Sequence, residues 1–311
     1  MKKIKIILII SLIFCLIILV INYFIYFSEV QKFVRLNEEN SNEKVNLTIK
    51  DYTNGLMFYE NMRFPSKSIS YSIDSGCNDN KKNDSREAFK EIEKQTNIKF
   101  IEISKNGEIE VICSNEKKQP DSNHFISGEG GPLTIINLTN YYVIFNGTML
   151  LYEENKCKKP IVAIHEILHV LGFEHSKNEK SIMYPYYNCN QIIDEEIINK
   201  INQIYEIPTL PDLTLDSITA EKHGFYLDFE MKIFNKGFSD SNNTNLSIYA
   251  DNKLVSNYEI GSLKIGSGKT IRVNNLKIPL SIKKISFIID QENVQQEINK
   301  ENNKAVLSLN K

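Results

Sequence analysis

The stretch that decides the reading runs His165-Glu166-Ile167-Leu168-His169-Val170-Leu171-Gly172-Phe173-Glu174-His175. His165 and His169 are four positions apart. On a helix that spacing puts both side chains on one face, one turn apart. Two neutral imidazoles so placed can ligate a single Zn2+. Glu166 lies beside that face and can act as general base toward a water activated by the metal. Gly172 stands where the helix must stop and the chain must turn, and glycine tolerates the left-handed backbone that such a turn requires. The turn lets His175 swing back as a third ligand. Three protein ligands leave a fourth position for water, the mark of a catalytic zinc.

Short motifs arise by chance, so the offsets carry the weight. The chain has 5 histidines, and three of them fall in this one window. Ile161, Val162, Ile164, Leu168 and Leu171 supply the apolar face of a buried helix, expected over Lys158–Leu171 with Pro160 in its first turn. The other histidines, His124 and His223, read as loop residues.

Past His175 comes Ser181-Ile182-Met183-Tyr184-Pro185-Tyr186-Tyr187. Together the two segments resemble the zinc signature and Met-turn of metzincins, and the Met-Tyr-Pro spacing resembles that of matrixins, the family of matrix metalloproteinases. The resemblance implies that Met183 lies beneath the histidine cluster. It also implies that Pro185 and Tyr187 wall the S1′ pocket, which receives the residue just after the scissile bond. Upstream, Ser68–Asp74, Arg86–Phe89 and Thr96–Phe100 are similar to the opening strand, helix and second strand of the same domain. The implied fold is α+β: a small twisted mixed sheet with one antiparallel edge strand, plus three helices, over residues 62–207. Two family features are missing. No cysteine-switch motif precedes the domain, and the histidines of the structural zinc site of animal matrixins are absent. No residue set is identified for Ca2+.

Helical spacing also appears over Ser85–Gln95 and Asp194–Tyr205, the latter with Asp194, Glu195 and Glu196 at its dipole-favoured start. Strands are expected at Ser68–Asp74, Lys99–Ser104 and Glu108–Cys113, with a bent strand or strand pair over Tyr141–Tyr152. Gly128–Pro132 reads as a turn-rich loop.

After Pro208 and Pro211 the texture changes to short alternating segments separated by turns, which predicts an all-β, immunoglobulin-like sandwich over 211–310. Pro211-Asp212-Leu213, Asn235-x-Gly237, Asp290-x-x-Asn293 and Glu297–Asn303 resemble the CARDB adhesion-related module. That resemblance implies a binding or spacer role toward a cell-surface ligand, with no catalytic residues.

At the other end, Lys2, Lys3 and Lys5 precede 23 uncharged residues, Ile6–Ser28. As a helix the run spans about 34 Å, enough for a bilayer core. The lysines orient the N-terminus to the cytoplasm, and Tyr23 and Tyr26 suit the interface. The reading over 1–28 is an uncleaved transmembrane anchor in preference to a long signal peptide, followed by a polar stalk over 29–61. Localisation is then the cell membrane, with the catalytic part outside. Cys15 lies in the apolar run. Cys77, Cys113, Cys157 and Cys189 form an even set in an oxidising compartment, where two disulfides are expected. Four cysteines allow three pairings. Because Cys157 precedes the zinc helix and Cys189 follows the Met-turn segment, folding of the zinc site selects Cys157–Cys189 and leaves Cys77–Cys113.

Net charge is -2, with Lys+Arg 37 against Asp+Glu 39. That balance excludes a nucleic-acid partner, which calls for a basic surplus. The expected partner is a peptide or protein substrate, and the expected function is zinc-dependent endopeptidase. The alternative is a surface adhesion protein whose peptidase-like domain only binds. Retention of Glu166 together with all three histidines favours the enzyme.

Overall fold

Asn78 opens the first helix of the computed structural model, which describes residues 55–114, 126–152, 154 and 156–308. The expected anchor, most of the stalk, Cys15, His124 and the last residues of the sandwich lie outside the described residues. Among the described residues no helix is long and apolar enough to cross a membrane.

The side chain of Asn78 accepts the Lys81 N–H, so helix α1 spans Asp79–Gln95. The apolar spacing begins only with Ala88, Phe89 and Ile92, which are buried. The capped first turns are polar, and periodicity could not mark them. Around α1 runs a six-stranded sheet of β1 (Met62–Arg63), β2 (Ser68–Ile73), β3 (Lys99–Glu102), β4 (Ile109–Cys113), β5 (Gly128–Asn137) and β6 (Tyr142–Leu151). The order is β1-β6-β4-β2-β3, all parallel, with β5 antiparallel along β6. Helices α2 (Ile161–Val170) and α3 (Glu195–Ile204) complete the α+β unit. One continuous core joins Ile69, Phe89, Val111 and Met149 to Ile164, Leu168 and Ile201.

Two expectations are corrected, and one open alternative is decided. Gly128–Pro132 is not a loop but the first half of β5. Its glycines serve close approach to a helix rather than turning. Of the two readings for Tyr141–Tyr152, the single strand holds, as β6, which takes β5 as its antiparallel partner. The end of the expected stalk, 55–61, folds onto the domain: Met57 is buried and bridges Phe173. Leu56, Met57 and Phe58 form a short apolar run that packs on the core, too brief for a periodic signal.

The C-terminal part stacks two sheets. One is β10 (Lys253–Gly261), β9 (Thr244–Ala250), β12 (Lys284–Ile289) and β13 (Lys304–Ser308). The other is β11 (Gly268–Lys277), β8 (Tyr226–Asn235) and β7 (Leu213–His223). Leu227, Phe229, Met231 and Ile233 of β8 meet Leu246, Ile248, Ile285 and Phe287 in a second core, as alternation along half-buried strands dictates. Strand β7 was not anticipated. A register shift after Asp216, with Ser217 at φ 48, breaks its alternation.

Arg63 sits where the two parts meet. It is 0% exposed and has no carboxylate partner among its hydrogen bonds. Its guanidinium donates to the carbonyls of Phe64 (3.0 Å), Pro65 (2.9 Å), Ile204 (2.7 Å) and Ile207 (3.0 Å). Its faces lie 4.6 Å from the Tyr205 ring centre and 4.1 Å from that of Phe238 in the sandwich. Arg63 thus caps the C-terminal carbonyls of α3, groups a helix leaves unpaired. Arg63→Ala is expected to lower unfolding free energy by on the order of 3 kcal/mol, because buried carbonyls lose charged donors. Urea denaturation of the two proteins measures the difference.

Candidate metal centre

Helix α2 is buried along its whole length, from Ile161 to Val170. That is unusual for a helix carrying two histidines and a glutamate, since buried polar groups need partners. For the two histidines the partners are backbone carbonyls. His165 Nδ1 lies 2.6 Å from Ile182 O, and His169 Nδ1 lies 2.7 Å from Phe173 O. A carbonyl can only accept, so each Nδ1 carries the proton and each Nε2 presents a lone pair.

Gly172 ends the helix at φ 97, and the chain reverses. A Cβ at Gly172 would come within 2.9 Å of Met62 Cβ and Sδ, so both backbone and space demand glycine there. The reversal returns His175, exposed, to the two buried imidazoles. The ligand atoms of His165, His169 and His175 all lie within 4.8 Å of one another, and Nε2 of His169 is 3.1 Å from Nε2 of His175. Two nitrogens on one tetrahedral zinc stand roughly 3.4 Å apart, given Zn–N bonds of about 2.0–2.1 Å. The donor set and its size therefore fit Zn2+. Burial holds the His165 pKa down to about 4, helped by His175 and opposed by the Ile182 bond. Burial and the two neighbouring rings push His169 well down, and burial lowers His175. All three stay neutral near pH 7, the form in which imidazole ligates.

Glu166 is buried beside them. Burial, then the nearby charge of Glu129, pushes its carboxyl up to about 8. The burial comes from β5. A Cβ at Gly128 would meet Glu166 Cγ at 2.7 Å and Oε1 at 2.9 Å, and one at Gly130 would meet Glu166 O at 2.2 Å. Two glycines thus let the edge strand lie directly on α2. A divalent cation at the three imidazoles would oppose the upward shift by Coulomb attraction.

Met183 is wholly buried. Its carbonyl accepts Ser176 N–H at 2.8 Å, next to His175, and its N–H donates to Ser181 Oγ at 3.0 Å. Ser181, itself buried, donates to Asp194 at the start of α3. The following segment leaves Tyr186 42% and Tyr187 37% exposed. Gln191, 2% exposed, holds it: Nε2 donates to Tyr186 O (3.0 Å) and Glu179 O (3.3 Å), and Oε1 accepts Asn188 N–H (3.0 Å). Disulfides join Cys157 to Cys189 and Cys77 to Cys113. Ser181 and Gln191 escaped the sequence reading, since single polar residues between turns carry no periodic signal. His223 is exposed on β7, in the sandwich, apart from the cluster.

Comparison with known proteins agrees with this arrangement. Residues 63–206 match the family model described as Matrixin, and residues 210–306 match that described as CARDB. Among solved structures, a crystal structure of a CARDB domain from Pyrococcus furiosus, in complex with di-metal ions, is 24% identical. It covers 32% of this chain and 87% of that one, with a TM-score of 0.28. A solution structure of a domain from Methanosarcina acetivorans is 23% identical, covering 32% of this chain and 91% of that one, also at 0.28. Curated proteins returned no match.

Full occupancy of the cluster is expected at about one Zn2+ per chain. Elemental analysis of His165→Ala, His169→Ala and His175→Ala should each show the metal lost. Chelation should lower the melting temperature of the unaltered protein, because a ligand that binds only the folded state stabilises it.

Proposed function

We propose that this chain, which joins a matrixin segment to a CARDB segment, is a zinc-dependent endopeptidase held at the outer face of the cell membrane. The observation that carries the proposal is the convergence of three imidazole nitrogens, two of them from a buried helix that also carries the buried Glu166. His165, His169 and His175 would hold the ion. When bound, Zn2+ supplies Lewis acidity toward a water and a carbonyl oxygen at neutral pH.

Glu166 does the proton work. Its carboxylate takes a proton from the water that attacks the scissile carbonyl and hands it to the departing amine. Its neighbour β5 offers the binding surface. Strand β5 pairs with β6 along one edge, and in this reading an extended peptide would add as a further strand along the other. Pro185 and Tyr187 would then line an apolar pocket for the residue after the cut.

The apolar run 6–28 supports anchoring, with residues 29–54 as a tether. The sandwich would bind or space at the surface and so concentrate the protease near its targets.

Glu166→Gln keeps the shape and removes the base. Hydrolysis of a cleaved peptide should fall by about 10²- to 10⁴-fold while zinc content stays constant. Wild-type turnover in this variant would assign the base elsewhere.

A proteomic cleavage profile tests the pocket. Leu, Ile, Met or Phe should be favoured after the scissile bond, by about 10- to 200-fold, the limit one apolar side chain can supply. Tyr187→Ala should flatten that preference.

A further inference from the structure

The segment just before the domain makes a contact that neither its composition nor the histidine motif explains. Met57 forms an antiparallel bridge with Phe173. On either side of it, Phe58 N–H donates to Gly172 O at 2.9 Å and Glu174 N–H donates to Leu56 O at 3.1 Å. Residues 56–58 thus run as a short strand against the turn that separates His169 from His175. The same turn supplies Phe173 O, the acceptor for His169 Nδ1. The Phe58 ring lies against the His169 imidazole, with centroids 5.8 Å apart and planes at 21°. Phe58 is only half-buried, and a phenylalanine placed for core packing alone would be expected to be more enclosed.

We infer that Phe58 is a positioning residue for the metal site, with its ring fixing the His169 imidazole while its backbone pins the turn that brings His175. The inference rests on the three-histidine reading above. Its physics is pre-organisation. A glycine in the left-handed region gives the 172–174 turn little stiffness of its own. The strand pairing restricts that turn from outside. A flat ring stacked on an imidazole opposes rotation about the His169 side-chain bonds, so less conformational freedom is lost when the ion binds. Outer-shell groups that orient a ligating histidine by hydrogen bonding are typically worth about 10- to 100-fold in metal affinity, and the stacked ring is expected to act on the same scale.

The test uses the full chain, purified in detergent, with Zn2+ and Co2+ as probes. Zn2+ affinity is read by competition with a chelator, and the ligand field by the visible spectrum of the Co2+ form. Phe58→Ala should weaken Zn2+ by about 10- to 100-fold and alter the Co2+ bands, while the melting temperature of the metal-free protein stays close to that of the unaltered chain. Phe58→Tyr keeps the flat ring and should restore both signals. Tyr59→Ala, whose ring stacks instead on Tyr142, should leave both unchanged. If Phe58→Ala does not fold, Phe58→Leu keeps apolar volume without the ring and should show the same loss of affinity. Unchanged Zn2+ affinity in the folded Phe58 variants, failure of tyrosine to rescue, or an equal loss in Tyr59→Ala would overturn the inference and leave the histidine site standing. Absence of Zn2+ and Co2+ uptake by the unaltered chain would instead remove the site itself, and the inference with it.

Discussion

Two imidazole protons committed to backbone carbonyls set the terms for the rest of this molecule. Because His165 Nδ1 is spoken for by Ile182 O and His169 Nδ1 by Phe173 O, each ring can turn only one lone pair toward the common point. The two carbonyls belong to different stretches of irregular chain, and each must be placed to a fraction of an ångström. Much of the surrounding structure does that placing. Ile182 donates its N–H to Ile192 O at 2.7 Å, and Ser181 is tied to Asp194. The disulfide Cys157–Cys189 closes the entrance of α2 onto the end of the same segment, a loop closure worth about 3–4 kcal/mol in the chain-entropy description. Phe173 is held by the Gly172 reversal and by the strap that carries Met57. A cluster of neutral, buried histidines is costly to assemble, since their lone pairs face one another. A cation at their focus would offset that repulsion, and folding and metal binding would then be linked.

The second constraint is steric, and its sign is opposite. Most of the sheet keeps the usual distance from its helices by means of side chains. At Gly128 and Gly130 there are none, and β5 settles onto α2 beside Glu166. Water is thereby excluded from the carboxyl, which raises its pKa. A larger residue at either glycine would force strand and helix apart and let water back to the carboxyl.

What the sequence made legible divides along a physical line. The helix over 161–170 and the sandwich strands could be read because periodic burial writes a periodic pattern. The histidine offsets could be read because ligand spacing on one helix turn is rigid. Matrixin and CARDB resemblance rested on such short-range features, and both families are matched over the expected parts of the chain. Long-range placement was another matter. Gly128–Pro132 looks like a loop in any local window, and only its contact with α2 gives the glycines their meaning. Ser181 and Gln191 act through single hydrogen bonds to residues brought near by the fold. Residues 55–61 read as part of the tether because the apolar run Leu56–Tyr59 follows a long polar stretch and is too short to show a period. Strand β7 was hidden by one bulge.

The junction around Arg63 bears on what the sandwich contributes. A guanidinium buried without a carboxylate is costly unless its five donors and two faces are all occupied. Four carbonyls and Tyr205 come from the peptidase part, but the remaining face is closed by Phe238. Phe238 also packs with Leu138 and Val143, at the turn that joins β5 to β6. Thr209, between the two parts, donates to Pro65 O at 2.8 Å. Taking the sandwich away would expose this apolar cluster to water and leave Arg63 half covered, so the sandwich stabilises the peptidase part as well as presenting a surface of its own. The contact also reaches the site by a short covalent route, because the hairpin that Phe238 touches at Leu138 is the one whose far end lies on Glu166. Loss of the sandwich would then act on the strand that shields the proposed base, a structural effect separate from any loss of targeting.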